Sequence, residues 1–182
     1  MASDKTEERI INLKKHFISE RKLVQLIINT GKIDYYLSRE KLRKLKLQYN
    51  GKVIVELIKA TGRVDDYLKF EKLNELNLIN DDKLIIELIK ATGKVEEYLK
   101  QYDLIESIVM NYAGVVTELI KTTGKSEEYL KPDKLKELNL QNDKDTKVEL
   151  IKATGKIEDY LTPEKMKELD LINNYSIKIL LK

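Results

Sequence analysis

The chain has 182 residues, 42% hydrophobic and 36% charged, which is long and apolar enough for a cored domain and too charged for a membrane-embedded one. Its 34 basic and 31 acidic side chains give a net charge of +3 and are interleaved, which excludes a basic arm or an acidic tail. Cysteine is absent and His16 is the one histidine, so disulfides, thiol chemistry, histidine metal clusters and catalytic triads are excluded.

Residues 1–20 read as an N-terminal capping helix, with Ile10, Ile11, Leu13, Phe17 and Ile18 as its apolar set. Its charged start, Met1 to Glu8, lacks the apolar stretch of a secretory signal. No segment offers the ~18 apolar residues of a membrane span.

From residue 21 the chain repeats itself. Gly31, Gly62, Gly93, Gly124 and Gly155 are spaced 31 residues apart without an insertion. Four carry nearly the same lead-in: Glu56-Leu-Ile-Lys-Ala-Thr-Gly62, Glu87-Leu-Ile-Lys-Ala-Thr-Gly93, Glu118-Leu-Ile-Lys-Thr-Thr-Gly124 and Glu149-Leu-Ile-Lys-Ala-Thr-Gly155. A fixed period of this length is the signature of a stacked repeat array.

Each copy divides into three pieces. The first, as in residues 83–92, is apolar on most sides, has Asn80 and Asp81 as cap candidates, and ends at Gly93 as a left-handed C′ residue. The second, Lys94-Val-Glu-Glu-Tyr-Leu99, sets Val95, Tyr98 and Leu99 on one face. The third carries Pro132 in the fourth copy and the pair Thr162-Pro163 in the fifth, which suit a helix start. A break or sharp bend between second and third pieces follows, leaving two or three helices per copy, except in the third copy. That copy lacks the proline and is free to run as one helix from Lys94 to about Tyr112.

Apolar columns at 42/73/104/135/166 and 47/78/109/140/171 give faces that one copy cannot bury alone. The predicted fold is therefore all-α: a right-handed α-solenoid of five 31-residue helical repeats over 21–175, with the N-terminal cap before it. Residues 176–182 read as a truncated sixth helix or a C-terminal cap.

The Gly-Lys-Val-Glu-Glu-Tyr-Leu pattern at 93–99, between two helices, resembles the pentatricopeptide and tetratricopeptide class of helical solenoids. The shorter first helix and the missing Trp/Leu-Gly/Tyr/Ala signature depart from it, and the separate third piece is similar to a three-helix, armadillo-type unit. The short divergent repeats are also similar to arrays in secreted effectors of intracellular bacteria. These resemblances imply a binding role, with a cytoplasmic location, or the host cytosol for an effector.

The residues themselves offer no ordinary catalytic set, and the expectation is a non-enzymatic chain with no metal and no cofactor. The acidic pairs Asp65-Asp66, Glu96-Glu97, Glu127-Glu128 and Glu158-Asp159 recur with the unit, as helix-dipole partners do. The column Tyr36, Tyr67, Tyr98, Tyr129, Tyr160 is expected to pack between repeats with its hydroxyls at the edge, rather than to stack nucleic-acid bases.

One copy breaks the pattern. In the third, the leucine column Leu45, Leu76, Leu138, Leu169 becomes Ser107, and Ile105, Ile108, Met110 and Tyr112 stand where other copies are mostly polar. Two readings follow: an apolar partner surface, or a shifted helix that buries these residues in a new register. The first makes the chain a protein-binding scaffold whose partner is another protein. The alternative function is RNA binding through a basic ladder of Lys59, Lys90, Lys121 and Lys152, although a glutamate lies three residues before each. Self-association through repeat ends is a third expectation.

Overall fold

The computed structural model describes residues 8–12, 19–172 and 177, and all regular structure among them is helical. Each copy holds three helices. The first helices are Glu20–Asn29, Gly51–Ala60, Asp82–Thr92, Tyr112–Thr123 and Lys144–Thr154. The second are Ile33–Tyr36, Val64–Tyr67 (a 3-10 turn), Val95–Leu99, Ser126–Tyr129 and Ile157–Tyr160. The third are Arg39–Lys44, Phe70–Glu75, Tyr102–Ile108, Pro132–Glu137 and Pro163–Glu168.

The local chemistry accounts for every boundary of the first helices. Ser19, Asn50, Asp81, Asn111 and Asp143 are the N-caps, each accepting the backbone N–H three residues on. At the other end the five glycines adopt φ between 67° and 71°. Second and third helices are parted by one extended residue, as at Lys131 (φ −63°, ψ 139°) and Thr162 (φ −69°, ψ 145°), where the following proline disfavours helical geometry. The third copy breaks as well, at Gln101, so it does not run straight from Lys94 to Tyr112.

Third helices close on a left-handed residue that is not glycine: Lys46, Asn77, Asn139 and Asp170, with φ of 51° to 56°. There the N–H of Leu47, Leu78, Leu140 and Leu171 returns to the carbonyl of Leu42, Leu73, Leu135 and Met166 at 2.7–2.8 Å. The two leucine columns are thereby brought together, and Leu42, Leu47, Leu73, Leu78, Leu135, Leu140 and Leu171 are all buried.

The chain divides into two compact units, Met1–Gly93 and Lys94–Lys182. In the first, the helix at 20–29 packs on 51–60, which packs on 82–92, and 82–92 also covers the second helix at 64–67. In the second, 112–123 covers the second helix at 95–99 and packs on 144–154, which covers 126–129. From the second copy on, each first helix buries the bulk of its apolar residues, such as Ile54, Leu57 and Ile58 in the second copy, while Glu20–Asn29 buries Leu23 and Ile27. Of the expected capping helix, residues 8–12 are helical with Ile10 buried, while Leu13, His16, Phe17 and Ile18 lie outside the described residues. In 176–182, Ile177 is described and is buried.

Candidate functional site

The third copy resolves its own anomaly by a shift of one residue. Its second helix is one residue longer than its counterparts and its third starts one residue late, at Tyr102. The inward positions therefore move from 104 and 107 to Ile105 and Ile108, both 0% exposed, while Ser107 turns out to solvent and bonds the Leu104 carbonyl at 2.8 Å. The left-handed exit residue is deleted in compensation. Ile108 stands at that place by count, and a β-branched residue is disfavoured at positive φ, so the helix runs through it and ends at extended Val109. One residue gained and one lost keep the 31-residue period.

The apolar partner surface is corrected accordingly. Ile105 and Ile108 are core. Tyr112 is half-buried: it donates to the Leu138 carbonyl at 3.1 Å and packs edge-on against Tyr102, centroids 4.8 Å apart. Burial raises its phenol pKa well above the ordinary value. Only Met110 of the four remains on the surface, 75% exposed.

Met110 has a counterpart at its position in the repeat. Five large hydrophobic side chains are exposed among the described residues; Met110 and Ile172 (55%) follow third helices of the second unit at the same place in the 31-residue count, and Tyr49 (86%) follows a third helix of the first unit one place later in that count. In the first copy this connection is a turn closed by the Asn50 N–H on the Leu47 carbonyl, with Gln48 and Tyr49 at its tip. Sequence reading missed Ile172 because it lies outside the two leucine columns; its place two periods after Met110 is the signal that identifies it.

The lysine column is bridged. Lys59 donates to Glu56 in its own helix and to Glu87 of the next copy, and Lys121 likewise to Glu118 (2.8 Å) and Glu149 (3.3 Å). The Glu87 bond is the largest cause of the raised Lys59 pKa, and the Glu118 bond of the raised Lys121 pKa. Lys152 pairs with Glu149 at 2.8 Å, and Lys90 is exposed. A phosphate approaching this face meets carboxylates between the ammonium groups.

A second ladder runs along the second helices. The first acid of a copy pairs with the basic residue 29 positions on: Asp34 with Arg63 (2.5 Å), Glu96 with Lys125 (2.5 Å) and Glu127 with Lys156 (2.6 Å). The acidic pairs thus bridge copies as well as opening helices. Tyr67 adds its hydroxyl to Asp34, and burial, with that carboxylate second, pushes its pKa far up. Tyr36, Tyr67, Tyr98 and Tyr129 are buried and Tyr160 half-buried, so no exposed aromatic platform forms. Beside this ladder lies a groove of about 350 Å³ lined by Asp34, Ser38, Arg63, Tyr67, Lys72 and Glu75. The equivalent positions Glu127, Lys131, Tyr160, Lys165 and Glu168 leave about 60 Å³ in the other unit, where Lys131 replaces Ser38.

Among the described residues no group of three or more His, Cys, Asp or Glu could hold a metal ion, and no helix is long and apolar enough to cross a membrane. No protein-family model, curated protein or solved structure matches the chain.

Proposed function

We propose that the chain is a non-enzymatic scaffold that binds another protein, built as a right-handed α-solenoid of five copies. Its contacts are made in the unit at 94–182, at the position carrying Met110 and Ile172. The observation that carries this reading is the coincidence of those two exposed apolar side chains at one position of the repeat. Exposed aromatic and methionine side chains are the anchors that protein interfaces favour. Helical repeats use one edge or face of every copy for such contacts, since each copy presents the same position. A cytosolic location fits a chain without cysteine. The paired lysines count against the RNA-binding alternative.

The test compares wild type with the double variant Met110→Ser, Ile172→Ser. Both positions are exposed, so thermal stability should change by no more than about 0.5 kcal/mol per site. A photo-crosslinking residue at position 111 should join a discrete protein in wild type, insensitive to nuclease and little affected by salt, and the double variant should lose it. Equal capture by the double variant would overturn the assignment of the site. Capture abolished by nuclease, with a steep salt dependence, would replace the protein partner by RNA.

A further inference from the structure

The first helix of the fifth copy contradicts the repeat in its core. By the 31-residue count, Lys147 corresponds to Leu23, Ile54, Ile85 and Val116, all buried hydrophobics, and is itself 3% exposed. Thr146 corresponds to Val53, Leu84 and Val115, and Thr117 of the preceding copy to Val55 and Val148. Both threonines are buried. Three buried polar side chains therefore fall in the first helices 112–123 and 144–154, at columns that are apolar throughout the second and third copies.

Each is satisfied, in a directed chain. The single hydroxyl hydrogen of Thr117 goes to the Ala113 carbonyl at 2.7 Å, so in the 3.0 Å contact between the two threonines Thr146 is the donor and Thr117 the acceptor. The Lys147 amine donates to the carbonyls of Gln141 (2.6 Å), in the connection leading into its own helix, and Leu169 (2.9 Å), at the end of the third helix of its own copy. The corresponding exit carbonyl one copy earlier, Leu138, is already taken by Tyr112.

We propose that Thr117 and Thr146 form an internal address that fixes which first helix packs on which in a chain whose copies are otherwise interchangeable. If helix 144–154 packed one copy out of step on helix 82–92, Thr146 would face Ile86 in place of Thr117, and its buried hydroxyl would have no acceptor. Apolar columns alone make no such distinction, since any first helix offers the next one valine, leucine or isoleucine. Repeat chains are prone to misassembly and swapping between equivalent modules, and a polar set that is satisfied in one arrangement alone disfavours the others.

The direction of the chain makes the hydrogen-bond part testable by an asymmetry. Thr117→Val strands the Thr146 hydroxyl and should lower the folding equilibrium constant about tenfold. Thr146→Val leaves Thr117 bonded to Ala113 and should lower it by less than about threefold, and the double variant should recover to near wild type. Equal losses in the two single variants would overturn the assigned direction. The address itself is tested by refolding full-length wild type and the double variant Thr117→Val, Thr146→Val from denaturant over a range of protein concentrations. The double variant should be close to wild type in stability at equilibrium, yet give a larger, concentration-dependent fraction of swapped or misregistered species by size-exclusion chromatography, with an added slow refolding phase. A double variant that refolds to the same single species as wild type at every concentration would overturn the proposal.

Discussion

Ile108 lies 31 residues after Asn77, yet Asn77 is left-handed at φ 56° while Ile108 is helical and wholly buried. The pair shows how the third copy departs from the others: it drops the left-handed exit and carries its helix on, with Ile105 and Ile108 as its inward residues. The double substitution Ile105→Asp, Ile108→Asp therefore places two carboxylates in a dry core. It should lower stability by at least ~4 kcal/mol and unfold much of residues 94–182, as followed by circular dichroism on heating. An unchanged melting curve would return both residues to the surface.

Tyr67 and Tyr112 are held protonated in the fold, chiefly by burial, with their pKa values raised well above the ordinary 10. An acid whose folded pKa is raised contributes stability that is complete below pH ~10 and is lost as pH climbs toward the folded value. Phenolate absorbance should therefore lag behind that of free tyrosine near pH 10 and then rise together with the loss of helix. Full ionisation of all ten tyrosines in a still-helical chain would contradict this.

Gly93 ends its helix at φ 71°, ψ 4°, and a Cβ placed there meets nothing within 4 Å. Any loss on substitution is thus backbone strain without a steric clash. Gly93→Val should cost about 1–2 kcal/mol and Gly93→Ala rather less, read from urea midpoints with unchanged slopes. An unaltered midpoint for valine would rule out the left-handed conformation.

The helical class, the three-part copy, the glycine exits and the leucine columns were legible because each rests on a local rule repeated at a fixed spacing. The non-glycine exits were not, since Lys46, Asn77, Asn139 and Asp170 share a conformation but no single residue type. Ile105 and Ile108 were misplaced for a different reason. Counting by 31 residues assumes an unbroken register inside each copy, and the third copy gains and loses a residue within its period. Lys147 was invisible because a lysine at a helix surface and one that reaches two carbonyls through a core look alike in sequence.

Removing residues 156–182 tests whether the copies behave as stacked modules. The deletion takes away the Lys156–Glu127 ion pair, an exposed contact worth about 0.2–1 kcal/mol, and the Leu169 acceptor of Lys147. The remainder should stay helical and melt cooperatively at a lower temperature, with Lys147→Ile restoring part of the loss. Complete unfolding of the truncated chain, with or without Lys147→Ile, would count against a modular array.

Lys147 gives the sharpest pH prediction, because its pKa is lowered where those of Lys59 and Lys121 are raised. Desolvation is the largest cause, with Lys144 acting in the same direction and Asp170 and Asp143 against it. When the folded pKa lies below the unfolded 10.5, the unfolded chain holds more protons between the two values, so stability contributed at this site rises with pH there. The burial penalty is complete below the folded pKa, fades as pH approaches 10.5, and is then gone. Comparison with Lys147→Met isolates it, since the raised lysines and tyrosines are common to both proteins and cancel in the difference. The stability of wild type relative to Lys147→Met should be lowest at neutral pH and climb steadily toward pH 10.5, measured by urea unfolding at each pH. A difference that stays flat, or falls, would mean that the Lys147 amine is as well solvated in the fold as in the unfolded chain.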